Sequence, residues 1–84
     1  MLTINYFASV RESVGRSNDI LELPEEVKNV EELISFLARN TETGLHKLAD
    51  RSDLLVAVNQ TVVGREHQLQ ADDEIAFFPP MTGG

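Results

Sequence analysis

Asn29-Val30-Glu31-Glu32-Leu33-Ile34-Ser35-Phe36-Leu37-Ala38-Arg39-Asn40 is the stretch on which the fold turns. Asn29 can accept from the free backbone N–H groups at a helix start, and Glu32, three residues on, can reach back, which is capping-box spacing. Val30, Leu33, Ile34 and Leu37 then recur at i, i+3, i+4 and i+7, so four apolar side chains share one face. Phe36 widens that stripe. Arg39 and Asn40 suit the helix end, where a cation meets the negative end of the dipole. The spacing predicts one core-facing helix.

On either side the period changes from that of a helix to that of strands. Leu2 to Phe7 alternates apolar and polar residues until its end, the pattern of a half-buried strand. Ala8 to Val14 has helix-compatible spacing, with Gly15 as its C-terminal cap. Ile20-Leu21-Glu22-Leu23 reads as a second short strand stopped by Pro24, antiparallel to the first. Downstream, Thr41 to Asp53 is polar and reads as a loop with one helical turn, anchored by Leu45 and Leu48. Leu54 to Val58 is an apolar run suited to a central strand, and Asn59-Gln60 is a turn. Thr61 to Leu69 gives a short, broken strand region around Gly64. Ala71-Asp72-Asp73 is another turn, and Glu74 to Phe78 the last strand. A hairpin, one packed helix and further strands in 84 residues describe an α+β roll in which a mixed sheet wraps one main helix. This is the β-grasp, or ubiquitin-like, arrangement.

Length and composition narrow what such a domain can do. A chain this small buries only about 60% of its unfolded surface, and one core uses most of its apolar residues. A binding surface or a terminus is therefore a more natural seat of function than an interior cavity. Seven basic residues stand against fourteen acidic ones, a net charge of −7. That balance argues against nucleic acid, whose phosphates need clustered Lys and Arg, and against anionic membranes. There is no cysteine, so disulfides and thiolate metal sites are excluded. His46 and His67 lack companions at metal-ligand spacing. No apolar run approaches membrane-spanning length and no signal peptide is seen, so the expected location is cytoplasmic.

The unusual chemistry is at the end of the chain. After residues 1–78, the predicted domain, residues 79–84 read Pro79-Pro80-Met81-Thr82-Gly83-Gly84. Pro79 ends the strand because it lacks the N–H a ladder needs. The two prolines hold the chain extended, and the glycines leave a thin tip that can thread a narrow channel. Six extended residues reach roughly 20 Å. The plain alternative is a frayed terminus. A free carboxylate on Gly84 is unreactive until a partner activates it, typically as an acyl-adenylate. In the last strand Ile75 and Phe77 share one face, Ala76 and Phe78 the other. If the first pair faces the helix, Phe78 lies outside, with Val62 for company. An exposed aromatic beside the tail root is a candidate partner anchor; the alternative is that Phe78 tucks under the 41–53 loop.

The run Tyr6-Phe7-Ala8-Ser9-Val10-Arg11-Glu12, then Val58-Asn59-Gln60, then Asp73-Glu74-Ile75-Ala76-Phe77-Phe78-Pro79-Pro80-Met81-Thr82-Gly83-Gly84 resembles the small, sulfur-carrier subunits of molybdopterin synthase. These belong to the ubiquitin-like β-grasp superfamily. The resemblance spans the chain, and the Phe-Phe-Pro-Pro-x-x-Gly-Gly ending is its specific part. It implies that an adenylyltransferase of the ubiquitin-activating type, using ATP and magnesium, activates Gly84. A sulfur donor protein then makes a thiocarboxylate there. It implies that the tail, Pro79 to Gly84, threads into the synthase large subunit and gives sulfur to cyclic pyranopterin monophosphate, building the dithiolene of molybdopterin. The carrier itself would hold no cofactor and no catalytic residue, and two small and two large subunits would form a heterotetramer. Asp72 departs from the family pattern, which commonly has Gly in that turn, and is expected to adopt left-handed backbone angles with some strain. Three rivals stay open: a thiamine-thiazole sulfur carrier, a ubiquitin-like protein modifier, and a plain interaction domain.

Overall fold

The computed structural model describes residues 1–39 and 53–80. Seven elements follow in the order β1 (Leu2–Tyr6), α1 (Ala8–Val14), β2 (Asn18–Leu21), α2 (Val30–Ala38), β3 (Leu55–Val58), β4 (Thr61–Val63) and β5 (Glu74–Phe78). The strands form one five-stranded sheet in the order β2-β1-β5-β3-β4. β1 and β5 run parallel, and every other neighbouring pair is antiparallel. The chain's two ends thus meet in the middle of the sheet. This is the α+β roll expected, a mixed sheet with one main helix.

Strand alternation sorts the side chains. In register, Ile4 pairs with Ile75 and Tyr6 with Phe77, while Val58 and Val56 pair with the same two β5 residues from the other side. All six are buried, in one cluster with Val30, Leu33, Ile34 and Leu37 of α2 and with Val10 and Val14 of α1. Full burial of one such side chain contributes about 1.5–3 kcal/mol, so this cluster is the main stabilising term.

The start of α2 leaves no N–H group free. Asn29 accepts from Glu32 N–H at 2.9 Å, and its carbonyl accepts from Leu33 N–H at 3.0 Å. Val30 and Glu31 donate to the carbonyls of His67 and Arg65 at 3.1 and 2.9 Å. The capping box closes one residue early, because Glu32 Oε1 accepts from Lys28 N–H at 2.7 Å. The segment after β4 thus docks on the helix start, and Asn29 forms an isolated bridge with Gln68. This packing replaces part of the broken strand expected over residues 61–69.

Three further expectations meet the structure differently. The second strand begins two residues earlier than read, at Asn18, and stops at Leu21. Its polar residue Asp19 is half-buried because its carboxylate accepts from Tyr6 Oη at 2.9 Å and from Arg16 at 2.8 Å. The strain expected at Asp72 does not occur: among described non-glycine residues only Ala8, Asn59 and Gln60 have positive φ. Asp72 instead pairs with the Met1 ammonium at 2.8 Å, which lowers its pKa. The helical turn expected within residues 41–53, and the anchors Leu45 and Leu48, lie outside the described residues apart from Asp53.

Candidate functional site at the root of the tail

β5 ends on Phe78, and the chain continues through the half-buried Pro79 and Pro80. Met81, Thr82, Gly83 and Gly84 lie outside the described residues. The root of the tail and the sheet face from which it leaves lie within the described residues.

Phe77 is fully buried and stacks on Tyr6, their ring centroids 6.1 Å apart. Its neighbour Phe78 must then point to the other face. On that outer face Phe78 stands opposite Leu55, and Ala76 opposite Ala57, which faces Val62 on the next strand. Val62 is 64% exposed, so it shares the face with Phe78 as the sequence reading proposed. The two are not side by side, however, since β3 lies between them and Leu55 and Ala57 bridge the gap. The face assignment agrees with the reading, since Ile75 and Phe77 look inward, but Phe78 is half-buried rather than the exposed aromatic expected.

Two members of this surface were missed. Leu55 opens an apolar run that reads as uniformly buried, yet it is exposed. Phe7 follows β1 and is 49% exposed. Its N–H donates to the Phe77 carbonyl at 3.0 Å, and its own carbonyl accepts from Val10 and Arg11 at 3.0 and 3.3 Å. The backbone is thus fixed on both sides of an exposed ring. A signal was present: Thr3, Asn5 and Phe7 share a parity, so Phe7 belongs with the outward residues. Ala8, next in line, takes φ +50° to turn the chain into α1. Such an angle costs a non-glycine residue of order 1 kcal/mol.

The motif residues at the far end of β5 have a structural role. Asn59 and Gln60, with φ 51° and 71°, make the two-residue turn from β3 to β4. Asn59 donates Nδ2–H to Asp73 Oδ1 at 2.9 Å, and its Oδ1 accepts from Glu74 N–H at 3.0 Å. Asp73, buried, also accepts from Gln70 N–H at 2.8 Å. These bonds tie the start of β5 to the β3–β4 turn and so fix its register. A slip by one residue would exchange Phe77 with Phe78. No helix among the described residues is long and apolar enough to cross a membrane.

A mixed five-stranded sheet of this order packed on one main helix is the β-grasp fold of ubiquitin-like proteins. Residues 4–84 match the ThiS family. The molybdopterin synthase sulfur carrier subunit of Escherichia coli (strain K12) is 43% identical over 84 residues, covering 100% of both chains. That of Homo sapiens is 36% identical, covering 94% of this chain and 89% of its own. Among solved structures, a molybdopterin converting factor subunit 1 from Pyrococcus furiosus superposes with a TM-score of 0.77 at 26% identity, covering 95% of this chain and 97% of that one. Small archaeal modifier protein 1 of Haloferax volcanii shares the fold, with a TM-score of 0.71 at 19% identity and coverage of 95% and 97%. The chain belongs to the ThiS family and to the molybdopterin synthase sulfur carrier subunits.

Proposed function

We propose that this protein carries sulfur for molybdenum cofactor biosynthesis on the carboxyl group of Gly84. The observation that carries the reading is the 43% identity, over the whole of both chains, to a molybdopterin synthase sulfur carrier subunit. The composition supports it. Without cysteine the chain cannot hold sulfur as a persulfide, and a C-terminal carboxylate, once activated, is an acyl group that a nucleophilic sulfur can convert.

The chemistry runs in two displacements. A carboxylate oxygen of Gly84 attacks the α-phosphorus of ATP, whose magnesium is held by the activating adenylyltransferase, and pyrophosphate leaves. A sulfide-level nucleophile supplied by a sulfur donor protein then adds to the acyl-adenylate carbonyl and AMP leaves. The product is a thiocarboxylate with one oxygen replaced by sulfur. The large subunit of molybdopterin synthase receives the tail and supplies the side chains that move the sulfur to cyclic pyranopterin monophosphate. The heterotetramer of two small and two large subunits belongs to the same reading.

This chain contributes positioning. The half-buried Phe78 and the exposed Phe7 lie beside the point where the tail departs, with Leu55 and Val62 extending the apolar surface. Pro79 and Pro80 stiffen the departing chain, and Met81 to Gly84 thread into the partner. Thiolation and transfer happen in different enzymes, so the same surface serves the adenylyltransferase and the large subunit in turn.

Complementation separates this reading from its rivals. Expression in a strain lacking its molybdopterin synthase small subunit restores molybdoenzyme activity. Expression in a strain lacking the thiazole sulfur carrier leaves it dependent on thiamine. The opposite pattern assigns the protein to thiazole synthesis. Higher-mass conjugates on a blot would assign it to protein modification, and full activity without Gly83 and Gly84 would reduce it to an interaction domain.

A further inference from the structure

The residues that follow β5 are not equivalent. Pro79 and Pro80 belong to no strand, yet both are half-buried, as Phe78 is. A ladder cannot account for that, because proline has no N–H to donate; packing covers them instead. Leu55 stands opposite Phe78 in the antiparallel ladder, and continuing that register sets the buried Leu54 beside Pro79. On the other flank the Phe7 N–H donates to the Phe77 carbonyl at 3.0 Å, and α1, which follows Phe7, packs against β5. The chain therefore leaves the sheet between Leu54 on one side and α1 on the other.

Backbone freedom is restricted over the same three residues. Each proline ring fixes its own φ at about −65°, and each proline also disfavours the helical region for the residue before it. Phe78 and Pro79 both precede a proline. Direction as well as position is thus set as far as Pro80.

We infer that Pro79 and Pro80 are positioning residues for sulfur transfer: they extend the rigid part of the domain to Pro80, so that only Met81 to Gly84 span the distance to the reacting centre. This rests on the sulfur-carrier reading above. Six residues counted from Phe78 would reach roughly 20 Å, whereas four counted from Pro80 carry the Gly84 Cα at most about 14 Å. The site that receives the terminal group therefore lies at about that distance from Pro80 or less, and the docked domain has no slack to lend. A loose base would spread the tip over many positions, of which reaction geometry accepts few.

The test shortens the tip and loosens the base, separately and together. Each chain is made as its C-terminal thiocarboxylate by intein cleavage with sulfide, which bypasses the adenylyltransferase. Single-turnover sulfur transfer to cyclic pyranopterin monophosphate is then timed on the large subunit. Deleting Met81 withdraws the tip by about 3.5 Å and slows transfer about 100-fold or more, whereas Met81→Gly, which removes the side chain at constant length, stays within about threefold. Pro79→Gly combined with Pro80→Gly slows transfer from the tail of native length. In the chain lacking Met81 the same pair speeds transfer about tenfold or more, a coupling between neighbouring changes that arises because the released residues lend the missing length. A purely structural role for the prolines lowers both rates alike. Independently of any variant, ¹³C relaxation of the labelled native protein gives Pro79 and Pro80 Cα order parameters of about 0.85, as in β5. Equal effects of the glycine pair in the two backgrounds, or order parameters below about 0.6 at both prolines, would overturn the inference. No transfer from the native thiocarboxylate would overturn the sulfur-carrier reading, and the inference with it.

Discussion

Leu55 stands directly across the β3–β5 ladder from Phe78, while the residue before each, Leu54 and Phe77, is buried. A period of two divides consecutive large apolar residues between the core and the surface. On β5 it gives Phe77 to the stack on Tyr6 and leaves Phe78 at the root of the tail. The two phenylalanines are therefore expected to behave as residues of different kinds.

Phe77→Ala should lower the unfolding free energy by about 3–5 kcal/mol, the cost of emptying a buried aromatic site. Phe78→Ala should cost about 1 kcal/mol of stability and weaken binding to the synthase large subunit and to the adenylyltransferase by about 2 kcal/mol or more. Denaturant melts and calorimetric titrations on both variants check this. If Phe78→Ala unfolds the domain and Phe77→Ala does not, the two faces have been assigned backwards.

Tyr6 gives the alkaline limit of the fold. Burial foremost, then the hydrogen bond to Asp19 and its charge, hold the phenol well above its ordinary range, with Arg16 opposing. The unfolded chain loses that proton near pH 10, whereas the folded chain keeps it. Stability is therefore complete below about pH 10 and falls above it, by up to about 1.4 kcal/mol per pH unit from this group. Tyr6→Phe should remove that part of the alkaline slope. The chain has one tyrosine and no tryptophan, so near-ultraviolet absorbance follows this residue alone. Tyrosinate appearing well before unfolding would contradict the assignment.

Gln60 occupies the second position of a tight turn with φ 71°, a place glycine fills without strain. Gln60→Gly should raise stability by up to about 1 kcal/mol, the relieved strain exceeding the added freedom of the unfolded chain. Asn59→Ala should destabilise by about 1–3 kcal/mol, since it leaves the partly buried Asp73 carboxylate and Glu74 N–H short of a partner. Chemical melts of the two variants should move in opposite directions.

Much of this arrangement is legible in residue order because local signals and the global fold agree. Asn29 and Glu32 mark the helix start, Gly15 with φ 80° closes α1, and the alternation in Glu74–Phe78 fixes its inward face. What escaped reading depends on contacts between distant segments. Asp19 looks like a loop residue until Tyr6 and Arg16 satisfy its carboxylate. Phe7 and Leu55 look like core until the sheet order brings β1 and β3 to either side of β5. Asp72 looks strained until the N-terminal ammonium is seen to reach it. The proposed use of the tail, by contrast, is read from its composition and from the family resemblance, because it depends on small size and a carboxyl end rather than on packing.

Tail length should matter more than tail chemistry. Deleting Gly84, or adding one residue after it, should abolish molybdopterin synthesis and leave the melting curve unchanged. The reacting carbonyl has to reach a fixed point, and an error of about 1 Å can cost roughly 100-fold in rate. Assay of the reconstituted synthase with each variant checks this, and normal activity from an extended, unprocessed tail would count against it.

The central claim is that sulfur rides on the last residue. The direct measurement is intact and fragment mass spectrometry of the protein after incubation with the adenylyltransferase, ATP, magnesium and a sulfide source. The account predicts one oxygen replaced by one sulfur, confined to the C-terminal fragment containing Gly84 and absent when ATP is withheld. Sulfur found elsewhere in the chain, or a Gly84 carboxylate left unchanged under conditions that activate a known carrier, would contradict it.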